Sequence, residues 1–206
     1  ALEGSGRPFI MSSGTALLPQ GRLGTEEDTA EPGSFGAIRA ANEDAAMALA
    51  EREVRPSSVR FSPSVHDRGD QGFVAQLIAI AREKGYSAYV GEGSNRWSAV
   101  HRSDAARLVR LALESAPAGT RLHAVGDEAV PFRDIAAVIG RGLDLPVRPI
   151  APEEAESHCA FLGHSVPLGI PASNALPRKW LDWEPTGPGL LDDLGEGHYF
   201  ERSASV

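Results

Sequence analysis

Three places in this 206-residue sequence set hydroxyl, imidazole and charged groups at the ends of apolar runs, where a folded chain presents them to a ligand. The first is the apolar run 7–11, which ends in Ser12, Ser13, Gly14 and Thr15. Hydroxyls at a strand end either orient a substrate carbonyl or satisfy loop backbone groups. The second is the run 57–61, which breaks into Ser62, Pro63, Ser64, Val65 and His66, followed by the Gly-rich charged stretch 67–72. In open α/β sheets ligands lie beyond the carboxyl ends of the strands, and this junction is of that kind. His66 there is either a proton-transfer group or a structurally bonded histidine. His66, Asp67 and Asp70 share one loop, and without a second cluster they do not make a metal site, so no metal is expected. The third is the turn 91–95, followed by Arg96. Asn95 and a fixed guanidinium suit an anionic or polyhydroxyl ligand. His101 and Asp104 either touch that ligand or serve a strand-to-helix junction.

The elements that would position these groups follow from periodicity. The spacing predicts a helix over 36–53, with Ile38, Ala41, Ala45, Leu49 and Arg52 on one face. It meets the strand 57–61 directly, and that order is half of a βαβ unit. A second helix is predicted over 73–84, stopped by Gly85, then a strand at 86–90 and an extended segment at 96–101. Ser103 or Asp104 can cap a helix running to about residue 115. A strand at 121–125 and a turn at 126–128 lead to a helix at 132–143 opened by Pro131. A strand at 147–150 and short helices near 152, 175–181 and 189–197 complete the reading, and the loop 21–32 should be exposed. The fold class is α/β.

Composition excludes several classes. A net charge of -8 opposes a nucleic-acid partner, which needs clustered Lys and Arg. No apolar run approaches the length of a membrane span, so no membrane partner is expected. The single cysteine, Cys159, suits a reducing compartment, and a cytoplasmic protein is expected.

Several segments together resemble the extended short-chain dehydrogenases/reductases, the NAD-dependent epimerase/dehydratase family. Ser12-Ser13-Gly14-Thr15 resembles the strand end carrying that family's catalytic Ser or Thr. Val59-Arg60-Phe61 into Pro63-Ser64-Val65-His66 resembles the strand and loop that cover the nicotinamide. His101-Arg102-Ser103-Asp104-Ala105 is similar to the strand-to-helix junction of the substrate half. Leu122-His123-Ala124-Val125-Gly126 and Leu181-Asp182-Trp183-Glu184-Pro185 resemble two later elements. Their order over nearly the whole chain carries the resemblance.

The resemblance implies a Rossmann-type parallel sheet, NAD or NADP as cofactor, and a small carbonyl or sugar-type substrate. It implies that 1–75 is the remainder of the nucleotide-binding domain, and that 76–206 is mainly a substrate-binding lobe crossing back to the sheet. Two departures stand beside it. No GxGxxG or GxxGxxG follows a strand, so the chain is expected to be N-terminally incomplete, with the first strands missing. At the family's Tyr and Lys positions stand Phe35 and Arg39. Phenylalanine has no proton to give, and arginine can hold ribose hydroxyls but cannot act as a base. The implied catalytic groups are therefore Ser12, Ser13, Thr15 and His66. The implied cofactor contacts are Phe35, Arg39, Pro63, Ser64 and Val65, and the substrate contacts are Asn95, Arg96 and His101. The helix 36–53 is implied as a homodimer face. The function implied is an NAD(P)-dependent oxidoreductase or epimerase; the alternatives are a non-catalytic NAD(P)-binding sensor or scaffold and an inactive fragment.

Overall fold

A computed structural model describes residues 2–34 and 36–201. Its centre is a three-stranded parallel sheet in which β2 (Arg55–Phe61) lies between β1 (Pro8–Gly14) and β6 (Thr120–Ala124). Pro8 pairs with Arg55 and Gly14 with Phe61, while Ser57 pairs with Thr120. β1 runs to Gly14, so Ser12 and Ser13 belong to the strand rather than to the loop after it. Thr15 opens a 3-10 turn.

α1 (Ala37–Met47) connects β1 to β2 and covers one face of the sheet. It continues as a 3-10 turn over Ala48–Arg52. The buried face of α1 is Ala40, Glu43, Ala46 and Met47, not the predicted Ile38, Ala41 and Ala45, which are exposed. Two contacts fix that rotation. Gly36 sits against the backbone of Leu17, 2.7 Å from where a Cβ would lie, and Glu43 turns inward to an arginine of β2. The loop 21–32 is also less exposed than expected: Glu26 is buried, and Gly24 forms a bridge with Ala172.

After β2 the chain forms β3 (Ser64–His66), α2 (Phe73–Lys84), β4 (Ser87–Val90), β5 (Arg96–His101) and α3 (Arg102–Ser115). Gly85, at φ 77°, ends α2 as its sequence implied. β5 pairs with β3 in parallel and with β7 (Asp127–Pro131) in antiparallel fashion, so the predicted turn at 126–128 is largely strand. α4 (Phe132–Leu143) has Pro131 as its N-cap. β8 (Val147–Ile150) pairs with β4. Three short helices follow: α5 (Ala155–Cys159), α6 (Ala175–Leu181) and α7 (Leu190–Gly195).

The buried side chains form two main clusters. Val59, Val100, Leu108, Leu122, Leu181 and Trp183 pack between the central sheet and α3. Val74, Ile78, Trp97, Phe132, Ile135, Ile139 and Leu194 fill the second, among α2, α4 and α7. No helix among the described residues is long and apolar enough to cross a membrane.

Candidate functional site

The chain that leaves the carboxyl end of β1 borders a cavity of 540 Å³. The segment after β1 (Ala16, Leu17, Leu18, Gln20) lines one wall, and Ser34 and Gly36 bring in the chain entering α1. His164, Ser165 and Leu168 come from the far side. The far wall is held by Asn95, whose side-chain amide donates to the carbonyls of Val166 at 2.8 Å and Leu168 at 3.0 Å. Asn95 thus shapes the cavity without facing into it. The polar side chains in the lining are Gln20, Glu31, His164 and the hydroxyls of Ser34 and Ser165.

The remaining sequence-derived residues are spread over several environments. Ser12 is exposed on β1. Ser13 is buried, and its hydroxyl is among the groups that hold the Glu43 carboxyl down. Thr15 is fully buried; its Oγ1 donates to the Phe61 carbonyl at 3.4 Å and lies 3.3 Å from Ser98 Oγ. Pro63 and Val65 are half-buried, while Ser64 is buried with no partner for its Oγ among the described residues. Arg39 is exposed on α1, and Phe35 lies outside the described residues. Arg96 is exposed and donates to the Ala129 carbonyl at 2.9 Å. His101 caps α3, with Nδ1 2.7 Å from Ser103 Oγ, in the place where Ser103 or Asp104 was expected. His66 is fully buried, its Nδ1 2.8 Å from Asp193, and it does not line the cavity. Among the described residues none of these positions lines the cavity, which instead borders the chain that leaves β1.

Beneath α1 lies a charge network that the sequence reading did not single out. Arg60, fully buried on β2, donates Nη2–H to Glu43 Oε2 at 2.7 Å and Nε–H to Oε1 at 3.0 Å. Ser58 donates to the same carboxylate at 2.7 Å, and Arg60 Nη1 donates to the Asp28 carbonyl at 2.9 Å. Burial pushes the Glu43 carboxyl up, but the Arg60 hydrogen bonds and charge and the Ser58 hydroxyl outweigh it, and the net shift is downward. His123 on β6 places Nε2 3.4 Å from Arg60 and Nδ1 2.9 Å from the Ser173 carbonyl. Nδ1–H donates to that carbonyl, and the ring stays neutral. Burial, reinforced by the Arg60 charge, lowers its pKa to about 4. This network anchors the loop 21–32 over the strand ends. Its sequence signal was the alternation Ser58, Arg60 against Val59, Phe61, which puts two polar groups on one sheet face.

Asp104, buried in the first turn of α3, serves the strand-to-helix junction that the sequence offered for it. Its buried carboxylate accepts from the backbone N–H of Thr186 at 3.0 Å and Gly187 at 2.7 Å, and from Arg107 at 2.8 Å. Burial raises its pKa, and these donors more than offset it, for a net lowering.

No family model matches the chain. It is 43% identical over 201 residues to the uncharacterized protein C2A9.02 of Schizosaccharomyces pombe, covering 97% of this chain and 67% of that protein. It is 42% identical over 194 residues to the uncharacterized protein YLL056C of Saccharomyces cerevisiae, covering 94% of this chain and 65% of that one. The chain belongs to the family of these two yeast proteins. It spans about two thirds of the length of each. Among solved structures it is similar to DesIV, a dTDP-glucose 4,6-dehydratase from Streptomyces venezuelae with NAD and TYD bound (TM-score 0.72, 18% identity, 94% of this chain and 59% of that one). It is likewise similar to a UDP-glucuronic acid 4-epimerase from Bacillus cereus in complex with NAD (TM-score 0.70, 17% identity, 93% and 58%). At that identity the likeness is one of fold: a Rossmann-like α/β sheet of the kind found in NAD-dependent dehydratases and epimerases.

Proposed function

We propose that the protein binds NAD or NADP at the carboxyl ends of β1 and β2 and acts on a small carbonyl or sugar-type molecule held in the adjoining cavity. The observation that carries this reading is the 540 Å³ cavity, walled on one side by the chain after β1 and on the other by residues 164–168. A cleft beyond parallel strand ends is where open α/β sheets take their ligands.

The residues present fit the nicotinamide-ribose end of such a cofactor. Ser12 and Arg39 are exposed and Pro63 is half-buried, so these three can meet a ligand, whereas the Ser13 and Ser64 hydroxyls are buried. The pyrophosphate end finds no matching turn among the described residues. The strand-to-helix turn with Gly69 and Gly72 carries Asp67 and Asp70, and Asp70 Oδ1 already accepts the Gly72 N–H. Those carboxylates would repel a diphosphate. β1 is the edge of its sheet, and further strands pairing there would supply the phosphate-binding turn. On this reading 1–75 belongs to the nucleotide-binding domain and 76–206 is mainly the substrate lobe.

When bound, the cofactor supplies hydride transfer. The chain's own part is to orient the ligand and move a proton. Thr15 faces inward and is spoken for, and Phe35 has no proton to offer. Proton transfer then falls to Ser12 or to water held by the Ser34 and Ser165 hydroxyls. The Phe35 and Arg39 pair also favours a second reading, a cytoplasmic NAD(P)-binding sensor that has kept the fold without turnover. The exposed Ile38, Ala41 and Ala45 of α1 support a homodimer through that helix.

Calorimetric titration with NADH and with NADPH tests the binding claim. Saturable binding at micromolar concentration is expected for at least one. Absence of binding for both contradicts it, and binding without turnover of any carbonyl substrate selects the sensor.

A further inference from the structure

Three of the chain's six histidines, His66, His101 and His198, are drawn from distant positions into one place outside the cavity. His66 and His101 are cross-strand partners at the ends of β3 and β5, with ring centroids 5.6 Å apart. Asp67 follows His66, and Asp193 arrives from α7. One oxygen of Asp67, one nitrogen of His101 and one oxygen of Asp193 all lie within 4.8 Å of one another. We propose that Asp67, His101 and Asp193 bind one first-row divalent cation, with zinc the best fit, and that the ion ties α7 to the carboxyl ends of β3 and β5.

The donor set argues for such an ion. One imidazole and two carboxylates suit Zn²⁺ or a neighbouring transition metal, whereas Mg²⁺ and Ca²⁺ prefer oxygen alone. Zinc–ligand bonds of about 2.0–2.2 Å place ligands roughly 3.4 Å apart in a tetrahedral site, so the cluster closes by side-chain adjustment. Asp193 is a buried carboxylate, and among the described residues its ion-pair partners are two histidines, with no lysine or arginine. His66 Nδ1 lies 2.8 Å from one of its oxygens and His198 Nε2 2.9 Å from the other. Such outer partners orient a ligating carboxylate. His66 Nε2 is buried and has no hydrogen-bond partner of its own among the described residues.

Asp67 and His101 are partly exposed and open the site to solvent, which provides an entry path and a water for the remaining position. Asp67 also accepts from Arg102 at Oδ2 and from the Arg68 N–H at Oδ1, and Oδ1 lies 3.5 Å from His101 Nε2. The exposed Arg102 cancels one of the two carboxylate charges, and its ion pair with Asp67 must loosen as the metal enters.

The test uses the whole chain, stripped with a chelator and titrated with ZnCl₂ against a chromophoric chelator, with the melting temperature followed in parallel. One zinc per chain at micromolar free concentration is expected, together with a rise in melting temperature. Asp67→Asn and His101→Gln, both at partly exposed positions and checked for fold by circular dichroism, should each weaken zinc at least tenfold. No saturable zinc in the wild type overturns the proposal, as does unchanged affinity in both variants. The neighbouring group Asp193, Glu196 and His198 is separated by His198→Gln. Loss of zinc in that variant with retention in the other two also overturns it.

Discussion

Arg60 and Glu43 set the energetics at the residue scale. Both are buried, so each charge is tolerable only because the other, with Ser58 and the Asp28 carbonyl, meets its hydrogen-bonding capacity. Removing one partner leaves the other stranded. Glu43→Gln is expected to cost about 3 kcal/mol in urea unfolding, whereas a double replacement by apolar residues of similar volume should cost less. His123 gives the pH dependence. Its folded pKa, about 4, lies below the ordinary 6.5, so the unfolded chain binds more protons between those values. Stability is fully present above pH 6.5 and falls as pH drops toward 4, by on the order of 3 kcal/mol from this group. Glu43, also lowered, adds loss at still lower pH. Unfolding measured across pH 4–7 should show that slope, flattened in His123→Gln. None of these roles was readable as such in the sequence. Glu43 looks like any solvated helix charge until β2 is placed beneath it.

At the scale of elements the sequence was most informative where a local signal ends an element. Gly85 in the left-handed region stops α2, β8 spans the expected 147–150, and β2 contains the expected 57–61 and begins two residues earlier. It was least informative where a distant partner decides. The face of α1 is set by the Leu17 backbone and Arg60, which turn Ile38 out to 79% exposure although its spacing is that of a core residue. β7 exists because β5 offers it an edge. The α1 face carries its own prediction: Ile38→Glu should shift sedimentation toward monomer and leave melting almost unchanged. A dimer that persists contradicts the helix interface. Asp104 holds the chain after Trp183 onto α3 through two backbone N–H donors. Asp104→Ala should cost about 3 kcal/mol, since it strands those donors and Arg107 in a buried site.

At the scale of the whole molecule, two hydrophobic clusters, one on the central sheet and one among α2, α4 and α7, stand beside a cavity that borders the chain after β1. The order of resembling segments made this architecture legible in the sequence. The cavity was not legible, because residues 16–20 and 164–168 meet only through the fold and carry no motif of their own. The likeness of fold to NAD-dependent dehydratases and epimerases, and membership in the family of the two yeast proteins, set the context for the proposed site. The most direct measurement is NADH titration of the wild type beside Ser165→Trp, which fills the cavity from the far wall. The account predicts micromolar binding in the wild type and at least tenfold weaker binding in the variant at unchanged melting temperature. Equal affinity in both, or no affinity in either, would contradict it.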